Sequence, residues 1–132
     1  MTKVSIANKA VVKGKSYSLP VKVSGLPSGV ASFEIIIQTE PQLLEMNGFE
    51  QAGMTKDKMA FCNNGVVVPG YITPYSKGKM IVVCADALPL TGSVMFNISA
   101  TAVDTGTAVI TPTYLLLNTD CLYGKRPELI KI

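Results

Sequence analysis

The chain reads as an all-β sandwich, and three observations carry that reading. Apolar and polar residues alternate with a period of two in three long segments. Clusters of glycine, proline and asparagine punctuate the chain at short intervals. No long segment shows a helical period. Apolar residues form 48% of the 132 residues and charged residues 16%, which is the balance of a globular chain rather than a disordered one. The length fits one domain, residues 1–132, able to bury roughly two thirds of its unfolded surface.

The alternation is cleanest in 16–24, where Tyr17, Leu19, Val21 and Val23 share one face and Ser16, Ser18, Pro20, Lys22 and Ser24 the other. Pro20 cannot donate to a ladder, so this strand is expected at an edge or a bulge. In 32–38 the inward set is Phe33, Ile35 and Ile37, and the outward set is Ser32, Glu34, Ile36 and Gln38. In 93–102 Val94, Phe96, Ile98, Ala100 and Ala102 alternate with Ser93, Met95, Asn97, Ser99 and Thr101. One buried face per strand is the antiparallel pattern. Segments 4–11, 66–68, 80–85, 108–117 and 129–132 are rich in β-branched or aliphatic residues and are also expected to pair. Turns are expected at Lys13-Gly14-Lys15, between Gly25 and Gly29, at Asn47-Gly48, at Asn63-Asn64-Gly65, between Ser76 and Lys79, and between Asp104 and Gly106. The segment 41–46 is at most one helical turn. The total is a sandwich or barrel of about nine strands.

The chemistry that is missing narrows the function. There is no histidine, which removes the commonest general base and metal ligand and makes a Ser-His-Asp triad impossible. The nine carboxylates are dispersed, so a two-carboxylate glycosidase site would have to be assembled by the fold. No catalytic residue, metal site or cofactor is predicted. The net charge of +3 comes from scattered lysines and a single arginine, Arg126, without the dense basic footprint of a nucleic-acid binder. No apolar run reaches the roughly 18 residues that cross a bilayer. The N-terminus lacks the apolar core of a signal peptide, which leaves a cytosolic protein or a domain of a longer secreted chain. Three cysteines, Cys62, Cys84 and Cys121, lack metal-ligand spacing and read best as buried free thiols. A Cys84–Cys121 or Cys62–Cys84 bridge stays open for a secreted domain. Leu88-Pro89-Leu90-Thr91-Gly92 matches the sortase signal, but an alternating strand follows it, so it reads as a turn. Asn97-Ile98-Ser99 fits the glycosylation acceptor pattern, yet lies mid-strand.

Taken in order, the segments resemble a cohesin domain. The cohesin opening Gly-Asp-x-Val-x-Val-Pro-Val-x-Val is matched by Gly14-Lys15-Ser16-Tyr17-Ser18-Leu19-Pro20-Val21-Lys22-Val23. The strand end Tyr-Asp-Pro and the following Leu-Glu-Val are matched by Thr39-Glu40-Pro41 and Leu44-Glu45-Met46. Gly53, the run from Lys79 to Ala85, and Thr91-Gly92 leading into Phe96-Asn97-Ile98 continue the order. Lys15 and Glu40 depart from the pattern, and 54–78 has no counterpart.

The resemblance implies a nine-stranded jelly-roll sandwich, an architecture also found in carbohydrate-binding modules. It implies a non-catalytic, extracellular or cell-surface module, excised from a larger secreted protein, that binds a dockerin carrying its own calcium. It places the contact on one flat sheet face, through Ser32, Glu34, Ile36 and Gln38. Ser32 and Glu34 stand where the family often has an asparagine and an aspartate that hydrogen-bond the partner. Val82 and Cys84 are expected to join from the neighbouring strand, and Val68 and Tyr71 from the strand near them. Ile36, apolar between polar neighbours, fits an interface anchor. Two rivals remain: a structural surface or adhesin sandwich, and a carbohydrate-binding module. The latter needs aromatic platforms. The chain has no tryptophan, and with Tyr17 and Phe33 expected inside, Tyr71, Tyr75 and Tyr123 are scattered candidates.

Overall fold

The computed structural model describes residues 2–40, 43–63, 67–68, 71–72, 79–124 and 130–131, with the backbone alone described at 40, 63, 67–68, 71–72, 79, 121, 123 and 130–131. The N-terminal segment forms β1 (Lys3–Ser5) and β2 (Lys9–Val11), which pair in different sheets. There follow β3 (Ser16–Ser24), β4 (Ser32–Glu40), β5 (Leu44–Glu50), a 3-10 turn (Gly53–Thr55) and β6 (Met59–Asn63). The short β7 (Val67–Val68) and β8 (Tyr71–Ile72) precede β9 (Lys79–Ala85), β10 (Val94–Ala102), β11 (Gly106–Leu117), β12 (Asp120–Tyr123) and β13 (Ile130–Lys131).

One layer has the order β1-β3-β10-β5, and the other the order β12-β11-β4-β9-β6 with β2 also on β11. With β1 and β2 taken as one strand that changes layers, the jelly-roll sandwich has the nine strands expected. β13, β8 and β7 pair in a separate small sheet. The strand near Val68 and Tyr71 is therefore no neighbour of β4, and those two side chains lie outside the described residues.

The inward faces interlock as the alternation predicts. Phe33, Ile35 and Ile37 of β4 meet Leu19, Val21 and Val23 of β3 and Phe96, Ile98 and Ala100 of β10 in one cluster. Phe96 joins the layers: its ring stacks 6.4 Å from Phe33 and lies perpendicular to that of Phe49 at 5.7 Å. Rings packed this way contribute beyond their buried area.

The prolines and bulges follow from ladder accounting. β1 ends opposite Lys22, so Pro20 lies beyond its reach and pairs only with Asn97 of β10. Pro112 lies beside a register shift, in the gap between the stretches of β11 that pair with β2 and β12. In both places the missing N–H faces no neighbour.

Four sequence expectations are corrected. Asn47-Gly48 is no turn: it lies inside β5, where a register shift leaves Asn47 as the extra residue of a bulge. Correspondingly, 44–50 is strand rather than part of a helical turn. Met95 is fully buried, because a register shift between Val94 and Phe96 turns it inward. The three cysteines do not share one buried state: Cys84 is buried and free, whereas Cys62 is free but exposed on the edge strand β6. Cys121's side chain lies outside the described residues.

The 3-10 turn anchors the β5–β6 connection against the bulge in β10. Thr55 is buried, and its hydroxyl donates to the Met95 carbonyl at 2.7 Å and accepts from the Ala52 amide at 3.1 Å. Gly53 has φ +55°, and a Cβ there would run into the carbonyl of Val94. That close approach accounts for a glycine at this position.

Candidate functional site

A sandwich offers two flat outer faces, and here they differ in chemistry. The β1-β3-β10-β5 face carries Ser16, Ser18, Asn97, Ser99, Thr101, Asn47 and Glu50. Five of these side chains are tied to one another: Ser16 Oγ lies 3.3 Å from Thr101 Oγ1, Asn47 Nδ2 donates to Thr101 Oγ1 at 2.9 Å, and Ser99 Oγ donates to Glu50 at 3.3 Å.

The outer face of the other layer is largely apolar. Residues paired across an antiparallel ladder share a face, so the register sets its rows. Leu116, Glu34, Val83 and Phe61 form one row across β11, β4, β9 and β6. Ser32, Ala85 and Met59 form the next. Phe61 is 61% exposed and Met59 68%, far above what a side chain with a packing role retains. A groove of about 300 Å³ opens over these two rows.

Asn118 fixes one end of the groove. It takes φ +53°, a conformation that asparagine tolerates. Its Oδ1 accepts from the amides of Ala31, at 2.9 Å, and Ser32, at 3.3 Å, and its Nδ2 donates to the Gly29 carbonyl at 3.2 Å. The start of β4, and with it Ser32, is thereby tied to the β11–β12 turn. Glu34 receives the Tyr114 hydroxyl at a long 3.5 Å. At the rim, Lys58 Nζ and Asp86 Oδ2 form an ion pair of 2.7 Å. The hydrogen bond from Lys58 holds the Asp86 carboxyl below its usual value, and the same bond pushes the Lys58 ammonium up. Burial pushes the Cys84 thiol up, which keeps it protonated; the protein around one side of the otherwise exposed Cys62 pushes its thiol up too, against a hydrogen bond with the Phe49 backbone. Among the described residues no three cysteine or acidic side chains gather to hold a metal ion.

The residues expected at a site divide accordingly. Ser32, Glu34 and Gln38 lie on the outer face, half-buried. Ile36 points the same way by register but is only 2% exposed, beside its ladder partner Tyr114 at 3%. It stands outside the core cluster and is not the exposed anchor expected. Val82 and Cys84 are corrected outright: they pair with Ile35 and Phe33, point inward and are 0% and 3% exposed. The outward residues of β9 are Ile81, Val83 and Ala85. Met59, Phe61 and Leu116 were not anticipated. Phe61 carried a readable signal, as an aromatic two residues before the turn sequence Asn63-Asn64-Gly65, but its exposure depends on β6 being an edge.

No family model and no curated protein matches the chain. Its fold does match solved structures. One is the sixth cohesin of scaffoldin B from Acetivibrio cellulolyticus, in complex with a dockerin: TM-score 0.64, 14% identity, 98% of each chain covered. Another is a type I cohesin–dockerin complex from Clostridium thermocellum: TM-score 0.64, 16% identity, 98% of this chain and 97% of that one. A third is a non-cellulosomal cohesin from the archaeon Archaeoglobus fulgidus: TM-score 0.60, 17% identity, 84% and 76%. The chain thus has the fold of cohesin modules. Among the described residues no helix is long and apolar enough to cross a membrane.

Proposed function

We propose that the chain is a non-catalytic adaptor module that binds a calcium-loaded dockerin through the outer face of β11, β4, β9 and β6, as part of an extracellular assembly. The observation that carries this reading is the exposure of Phe61 and Met59 beside the polar Ser32 and Glu34. Apolar anchors ringed by polar groups suit recognition of another protein. The likeness to cohesin modules solved with dockerins supports the class of partner. Ser32, Glu34 and Gln38 supply hydrogen bonds in this reading, and Phe61, Met59 and Val83 supply buried area. A sugar platform is less well supported, since Phe61 is the one exposed aromatic among the described side chains.

Calorimetric titration against a panel of dockerins, with calcium and then with EDTA, tests the proposal. Tight 1:1 binding that disappears in EDTA and weakens in Phe61→Ser is expected. Silence across the panel would favour the structural, adhesin-like role.

A further inference from the structure

Among the described residues the sandwich has several open sheet edges, and all but one are guarded. β1 and β2 are three residues long and carry Lys3 and Lys9. β12 has four residues and begins at Asp120. β5 carries Glu45 and Glu50 and is broken by the bulge at Asn47. Short length, charge and bulges are the devices that keep edges from pairing with another chain. β6 has none of them. Its sequence Met59-Ala60-Phe61-Cys62-Asn63 is uncharged and proline-free. It pairs with β9 in unbroken register, and among the described residues it has no strand on its other side.

We infer that β6 is a self-association edge, at which a second copy of this chain adds its own β6 antiparallel. A second copy fits because the strand is self-complementary. Pairing about a two-fold axis at Phe61 sets Phe61 beside its symmetry mate, and Ala60 opposite Cys62, with no like charges facing within the strand. The two exposed rings then cover each other, as in a cross-strand aromatic pair. A two-fold axis normal to the sheet leaves both outer faces on the same side, so the dimer presents its two grooves next to each other. A contact of five residues per copy is small beside the roughly 1,200 Å² of an ordinary stable interface, and places the dimer among weak, concentration-dependent ones. This inference does not depend on the identity of the adaptor's partner, but it uses the same Phe61 ring as the proposed recognition face, so self-association and partner binding compete for it.

Sedimentation equilibrium from micromolar to millimolar chain, paired with amide hydrogen exchange at the two extremes, tests it. The expected result is a reversible monomer–dimer equilibrium. The β6 amides that face away from β9 should become at least tenfold better protected at high concentration. Phe61→Lys and, separately, Met59→Lys should return the chain to monomer with an unchanged circular dichroism spectrum. A chain that stays monomeric to millimolar concentration overturns the inference. So does a dimer insensitive to both substitutions, or one that forms without protecting those amides, which would be face-to-face packing instead.

Discussion

The two outer faces of this sandwich rest on the same core yet solve the problem of meeting water differently. On the β1-β3-β10-β5 side, Ser16, Asn47 and Thr101, and separately Ser99 and Glu50, hydrogen-bond each other, so much of that face meets its polar needs internally. On the β11-β4-β9-β6 side, a leucine, a valine, a methionine and a phenylalanine surround a few polar groups, and two of the largest are left in solvent. Exposed apolar area that costs about 25 cal/mol per Å² to hydrate is retained where something else covers it. The contrast teaches that being flat does not make a sheet face a recognition surface; unmet apolar area beside a few hydrogen-bonding groups does.

The largest expected effect tests what the faces share. Phe96→Ala removes the ring that contacts Phe33 across the layers and Phe49 within its own layer, and should lower stability by about 3–5 kcal/mol in denaturant unfolding. Both faces should be lost in one transition, and separate transitions would break the picture of a common core. Next comes the contrast itself. Phe61→Ser should weaken dockerin binding by about 2–3 kcal/mol, the scale of an aromatic hot spot, while changing stability by less than about 0.5 kcal/mol because the ring is exposed. Glu34→Ala should cost binding about 1–2 kcal/mol, as loss of a charge-assisted hydrogen bond does. On the opposite face, Thr101→Val removes the hub of the hydroxyl network. It should cost stability no more than about 1 kcal/mol and leave binding unchanged. The smallest effect concerns the rim. Asp86 is held below its ordinary pKa by Lys58, so the pair's contribution is complete above the ordinary carboxylate range and fades as pH falls through the lowered value. An NMR titration should show the Asp86 midpoint rise towards normal in Lys58→Ala.

How far this contrast could be read beforehand differs from strand to strand. β3, β4 and β10 are legible because one face of each is polar, so the period of two shows and Ser32, Glu34 and Gln38 come out on the correct side. β9 is not: Met80-Ile81-Val82-Val83-Cys84-Ala85 is apolar on both faces, so its phase is set only by its register with β4. A slip of one residue exchanges its two faces, which is why Val82 and Cys84 were expected outside. β5 is hidden by Asn47-Gly48, a dipeptide that signals a turn as strongly as it permits a bulge. β6 is too short and too uniformly apolar to show a period, yet it supplies the side chains that most distinguish the two faces. The burial of Ile36 depends on packing above the sheet, which a strand's own alternation does not encode.

The most direct test of the account is a titration of one tight-binding dockerin, with calcium, against three versions of the chain: unsubstituted, Phe61→Ser and Thr101→Val. The account predicts a loss of about thirtyfold or more for Phe61→Ser, and affinity for Thr101→Val within a factor of two of the unsubstituted chain. Equal losses for both substitutions, or a loss confined to Thr101→Val, would contradict it and move recognition to the hydroxyl face.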